Sequence, residues 1–92
     1  MERLPESEIH ARLDGSAWSL RDESVERDFE RKDFADAIAF VNAVAKLAED
    51  LDHHPDILVH GYRHVRLTLS THSAGGLTER DFALADAIDA LV

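Results

Sequence analysis

The 92-residue sequence has no cysteine. That excludes a disulfide framework, a thiolate metal cluster and a thiol nucleophile. Only two prolines and four glycines punctuate it, with no linker, repeat or low-complexity stretch, so one domain spanning residues 1–92 is expected. Long apolar runs are missing too. None approaches the ~18–20 residues of a membrane span, and no charged-then-apolar leader opens the chain. A soluble, cytoplasmic protein with no membrane partner is the expectation. Basic residues are scarce: ten Lys and Arg face nineteen Asp and Glu, for a formal charge of -9. Nucleic-acid binding draws its affinity from counterion release by Lys and Arg, so no nucleic-acid partner is expected. The acids are dispersed, which also excludes an acidic tail. A chain this short buries only roughly 60–65% of its unfolded surface, which favours self-association. Histidine, in contrast, is plentiful. There are six, and two are adjacent.

Hydrophobic periodicity sets the order of elements. Leu4 to Asp14 reads as a short helix, with Pro5 in the first turn, Ile9 and Leu13 four apart, and Gly15 as the stop. Trp18 to Leu20 alternates as a strand, Arg21 to Ser24 is a turn, and Val25 to Lys32 is the partner strand. Asp33 to Leu51 is alanine-rich and N-capped by Asp33. At ~100° per residue its apolar side chains, from Phe34 to Leu51, fill an arc near ~180°. A surface helix needs little more than ~100°. The excess predicts either burial on two fronts, one against a second subunit, or deep packing within the domain. Ile57 to His60 and Val65 to Thr71 read as strands around a His60-Gly61 turn. Val65, Leu67 and Leu69 face one way; Arg66, Thr68 and Ser70 face the other. After the loop Ala74-Gly75-Gly76, Thr78 and Asp81 have capping-box spacing, opening a helix that runs to about Leu91. The resulting α-β-β-α-β-β-α order predicts an α+β domain: a four-stranded antiparallel sheet with helices packed on one face.

Asp52-His53-His54-Pro55 is the singular motif. Adjacent histidines on a helix diverge by ~100°, but a residue before proline leaves helical geometry. Both rings can then converge on one site. Histidines at a helix C-terminus also favour the negative end of the dipole, and that alternative needs no function. His72 ends the last strand and by parity shares the polar face with Ser70. Glu49 sits where the apolar arc meets water, placed to orient an imidazole or remain solvated. His10, His60 and His64 read as solvated residues. The His/carboxylate set admits zinc in principle, yet neither HExxH nor H-x₃₋₅-H spacing occurs. Metal-free acid–base chemistry fits better, because unperturbed imidazole titrates near pH ~6.5.

Taken together, Glu49-x₃-His53-His54-Pro55, Tyr62, Leu67-Thr68-Leu69-Ser70-Thr71-His72 and Gly76-Leu77-Thr78-Glu79-Arg80-Asp81 resemble pterin-4a-carbinolamine dehydratase. The resemblance runs from near Trp18 to the final helix. It implies a dehydratase that eliminates water from 4a-hydroxytetrahydropterin to give quinonoid dihydropterin, with pterin as substrate and no metal or redox cofactor. It also implies that His53, His54 and His72 are catalytic, with His53 and His72 as acids toward the hydroxyl and His54 holding the ring. Glu49, Asp52, Pro55, Ser70, Thr71 and Asp81 are implied as substrate-binding or orienting residues. Many relatives place an aromatic two residues after the proline, where this chain has Ile57, leaving Trp18 and Tyr62 as candidate ring walls. The short chain and the wide apolar arc from Phe34 to Leu51 together lead to the expectation of a homodimer or homotetramer. Animal members also resemble dimerisation cofactors of a transcription factor, so the alternative function is an interaction module with a vestigial pocket. A His/carboxylate metal-binding protein is a third reading.

Overall fold

A computed structural model describes residues 2–92. In chain order it contains α1 (Glu6–Leu13), β1 (Ser19–Arg21), β2 (Ser24–Glu30), α2 (Phe34–Leu51), β3 (Asp56–His60), β4 (His64–Leu69), a 3-10 turn (His72–Ala74) and α3 (Glu79–Asp89). The order is the expected one, and element ends move by at most two residues. Helix α1 starts later than predicted because Leu4 is extended, its N–H donating to the Leu77 carbonyl at 2.8 Å. Strand β4 stops at Leu69 because Thr71 leaves the ladder to bridge Gly76.

The four strands form one antiparallel sheet in the order β1-β2-β4-β3. Register follows the alternation in the sequence. Val25 lies opposite Leu69, Phe29 opposite Val65, and Ile57 opposite Leu67, so apolar side chains share one face. All three helices cover that face, contributing Ile9, Phe40, Val44, Phe82, Leu84 and Ile88 to the core. Phe29 links the layers, its ring centroid 4.8 Å from Phe40 and 6.2 Å from Trp18. The opposite face carries Glu26, Asp28, Arg66, Thr68 and Asp56, and among the described residues no helix covers it.

Both predicted caps form. The Asp33 carboxylate accepts from the Asp36 N–H at 2.8 Å. Thr78 and Asp81 make the reciprocal pair of a capping box. Asp36 is itself held below the usual carboxylate range, chiefly by the Lys32 N–H at 2.9 Å, which together with Arg31 outweighs the opposing effect of burial.

The wide arc of α2 is divided. Ala37, Phe40, Val44 and Ala48 are buried in the subunit, whereas Phe34 is 55% and Ile38 37% exposed, and Ala45 is exposed beside them. At ~100° per residue the two sets occupy adjoining sectors. Deep packing within the domain is therefore excluded as the reason for the width, because one half of the arc faces outward.

Two of the surface histidines are not simply solvated. His60 and His64 pair across the β3–β4 hairpin with their rings stacked, centroids 5.4 Å apart. The His60 Nε2 lies 3.2 Å from Asp28, which Arg66 also holds at 3.2 Å. Burial alone would raise the Asp28 pKa, but these two hydrogen bonds outweigh it and hold the carboxyl below its ordinary value. His10 is exposed on α1, as expected.

Candidate active site

The site begins where α2 ends. Asp52 adopts a left-handed conformation (φ 50°), which an aspartate tolerates better than most residues. Its N–H reaches back to the Glu49 carbonyl at 3.2 Å, and the His53 N–H to the Ala48 carbonyl at 3.0 Å. This pair of bonds is a Schellman motif, in which the second residue past the helix commonly folds back against it. His53 occupies that position and is buried; His54, one residue on and before Pro55, is exposed. Arg80 of α3 secures the corner by donating to the carbonyls of Asp52 and Leu51.

The adjacent histidines therefore face different surroundings. His53 Nε2 is 2.6 Å from Asp81 Oδ1, and Asp81 is fully buried. The other Asp81 oxygen accepts from the Thr71 hydroxyl at 2.7 Å and from the Thr78 N–H at 2.9 Å. Thr71 and Thr78 hydroxyls lie 2.9 Å apart. With the Thr71 proton directed at Asp81, Thr78 donates to Thr71. One buried carboxylate thus receives three donors, which offsets the cost of removing its charge from water.

His54 instead lies on a cleft of about 200 Å³ at the end of the helix-free sheet face. Its walls are Glu23 and Ser24 from the β1–β2 hairpin, Asp56 of β3, Thr68 and Ser70 on and after β4, and His72 of the 3-10 turn. Glu49 Oε2 sits 2.6 Å from His54 Nε2, so a carboxylate holds the ring at the rim. With Glu49 ionised, Nε2 carries the shared proton and Nδ1 is the free nitrogen. The Ser70 hydroxyl donates to the Glu23 carbonyl at 2.7 Å, tying β4 to the hairpin that forms the opposite wall.

Of the residues singled out from sequence, His54, Ser70 and His72 line the cleft, and Glu49 contacts His54. His53, Thr71 and Asp81 form the buried network behind it. Asp52 and Pro55 shape the corner without being among the lining residues. Two aromatic expectations are corrected. Trp18 is only 4% exposed, packs in the core and donates to Asp89 at 2.8 Å. Tyr62 occupies the β3–β4 turn, at the end of β4 remote from Ser70. Neither can wall the cleft. Ile57 lies opposite Leu67 and shares its face, so the side chain two residues after the proline points away from the cleft. Sequence reasoning missed Glu23, Ser24, Asp56 and Thr68. Parity with Ser70 identifies Thr68 as facing the same way, but placing Ser24 and Asp56 beside it requires the strand order.

Residues 2–91 match the sequence model of pterin 4 alpha carbinolamine dehydratase. The chain belongs to that family. It is 53% identical over 93 residues to a Chloroflexus aurantiacus protein provisionally named pterin-4-alpha-carbinolamine dehydratase, covering 100% of this chain and 99% of the relative. A relative from Acidobacterium capsulatum with the same provisional name is 52% identical, with complete coverage of both chains. Among solved structures, a transcriptional coactivator/pterin dehydratase from Brucella melitensis superposes with a TM-score of 0.89 at 40% identity, over 97% of each chain. A pterin dehydratase-like protein described as a RuBisCO assembly factor in the alpha-carboxysome matches with a TM-score of 0.63 at 29% identity, over 80% of this chain and 84% of that one. Structural neighbours of the chain thus include proteins described by roles other than dehydration. Among the described residues no helix is long and apolar enough to cross a membrane.

Proposed function

We propose that this family member eliminates water from 4a-hydroxytetrahydropterin by imidazole acid–base catalysis, in the cleft between His54 and His72. The observation that carries the reading is the arrival of these two histidines, from separate chain segments, on one cleft. The reaction needs a proton at the departing 4a-hydroxyl and loss of the N5 proton. As the C4a–O bond breaks, the N5 electron pair forms the N5=C4a bond and water leaves. Imidazole can serve at either end, because it exchanges protons near neutral pH. His72 is assigned as the acid toward the hydroxyl, and His54, held by Glu49, as the base toward N5. His53 is assigned a positioning role, because its Nε2 is committed to buried Asp81. This departs from the sequence-based assignment of His53 as an acid.

The reaction as written uses no metal or redox cofactor. The test follows the appearance of quinonoid dihydropterin by absorbance, with and without protein and with added chelator. Acceleration that persists in chelator is expected. A rate equal to buffer overturns the enzyme reading, and loss of rate in chelator replaces it with metal catalysis.

A second reading, self-association through α2, rests on the outward half of its arc. Phe34, Ile38 and Ala45 form an apolar strip continuous with the buried face, and covering it would remove further apolar surface from water. The same strip could serve the alternative role of docking a different protein. Light scattering should give a dimer or tetramer for the wild type and a shift toward the 10.3 kDa monomer for Phe34→Glu. A wild-type monomer at micromolar concentration would rule out self-association.

A further inference from the structure

We propose that Asp56 selects the pterin by accepting hydrogen bonds from the donor edge of its pyrimidine ring. The inference rests on the dehydratase reading for its substrate class, and it assigns a residue that the proton transfers themselves do not use. Two carboxylates, Glu23 and Asp56, line the cleft and a third, Glu49, stands behind His54; two of these three already have partners. Glu23 pairs with Arg3 at 2.9 Å, and Glu49 holds His54. Among the described residues, the Asp56 carboxylate has no hydrogen-bond or ion-pair partner, although it lines the cleft. It is the first residue of β3 and lies opposite Thr68, so the ladder fixes its backbone on the same face as Thr68.

Cleft geometry gives that carboxylate a specific use. Successive same-face residues on a strand are roughly 6–7 Å apart. The Asp56–Thr68 row is thus one such step from Ser70, with His72 beyond it. A fused bicyclic ring laid along β4 has its pyrimidine end at Asp56 and its C4a–N5 side toward the imidazoles. The pyrimidine of a 4-oxo pterin presents N3–H and a 2-amino N–H side by side. Such a pair matches the two oxygens of a carboxylate as an Arg fork does. Serine, threonine and imidazole cannot accept both at once, and the other carboxylate lining the cleft, Glu23, is already paired with Arg3. Asp56 is therefore a binding and specificity residue, not a proton-transfer residue.

The test compares wild type with Asp56→Asn, which keeps side-chain shape and, at an exposed position, the fold. Binding is read by fluorescence titration with free pterin and with an analogue carrying a methyl in place of the 2-amino group. Turnover of 4a-hydroxytetrahydropterin gives KM and kcat separately. Asp56→Asn should weaken pterin binding and raise KM by about tenfold, as expected for loss of charge-assisted hydrogen bonds in a partly solvated site, while kcat changes little. The analogue, which keeps only the N3–H donor, should bind wild type more weakly than pterin does and should lose clearly less on Asp56→Asn. Equal pterin binding by both proteins overturns the inference, as does no pterin binding by wild type. An equal loss for pterin and the analogue also overturns it, because the effect would then be a general one on neighbouring His54. If wild type binds pterin through Asp56 yet does not accelerate dehydration, the dehydratase reading fails and the assignment of Asp56 stands.

Discussion

His72→Ala is expected to lower kcat for dehydration by roughly 10²–10⁴-fold, and His54→Ala by a comparable factor, because each removes one proton-transfer group. Neither should cost much stability, since both residues are exposed. His53→Ala is expected to behave differently. It removes a buried donor from Asp81, so its first effect is on folding, with loss of a charged hydrogen bond costing roughly 1.5–3 kcal/mol. Steady-state kinetics paired with thermal denaturation separates the three. If His53→Ala abolished kcat at unchanged melting temperature while His72→Ala was active, the roles assigned from the geometry would have to be exchanged.

Replacing Asp81 should have the largest effect on stability. Alanine there leaves His53, Thr71 and the Thr78 N–H without their common acceptor inside the protein. Breaking a buried charged network of this kind costs roughly 3–5 kcal/mol. For a domain of this size each kcal/mol shifts the melting temperature by roughly 4–8 °C, so a fall of more than about 10 °C is expected. The capping box of α3 is lost with it. Asp81→Asn keeps the shape but turns one acceptor into a donor, and should fall between wild type and Asp81→Ala. Activity should decline with it even where the protein remains folded, because Asp81 joins the neighbours of both cleft histidines: His53 beside His54, and Thr71 beside His72. Melting curves and kcat on the same samples provide the check. An Asp81→Ala protein as stable as wild type would refute the network's structural weight. A fully active Asp81→Asn protein would refute its positioning role.

Much of the fold was legible because its signals are local. Val65, Leu67 and Leu69 alternate with Arg66, Thr68 and Ser70, and that pattern alone assigns the two faces of β4. Asp33 and the Thr78/Asp81 pair announce helix starts through side-chain oxygens placed three residues from the N–H groups they serve. The histidine corner was legible in position, since Pro55 forces the chain out of helical geometry. It was not legible in direction. Hydropathy treats His53 and His54 alike, and only the left-handed turn at Asp52 separates one buried ring from one exposed ring. The aromatic candidates failed for a similar reason. Trp18 and Tyr62 are not among the residues lining the cleft once the strands are in place, and chain order alone does not reveal which end of a hairpin meets which neighbour.

The deficits of the sequence were themselves decisive. Lack of cysteine excluded thiol chemistry, and scarcity of Lys and Arg argued against a polyanion partner. Excess histidine and apolar periodicity, meanwhile, fixed attention on one corner and one element order. Those are properties of single residues and single elements, and a linear pattern carries them completely. Tertiary structure decided what no linear pattern carries. It brought Ser24, Asp56, Thr68 and Ser70 together through the order β1-β2-β4-β3, turned His53 toward Asp81, and left half of the α2 arc open. Each depends on contacts between residues distant in sequence, whose energies are set only when separate elements meet across the sheet or behind it.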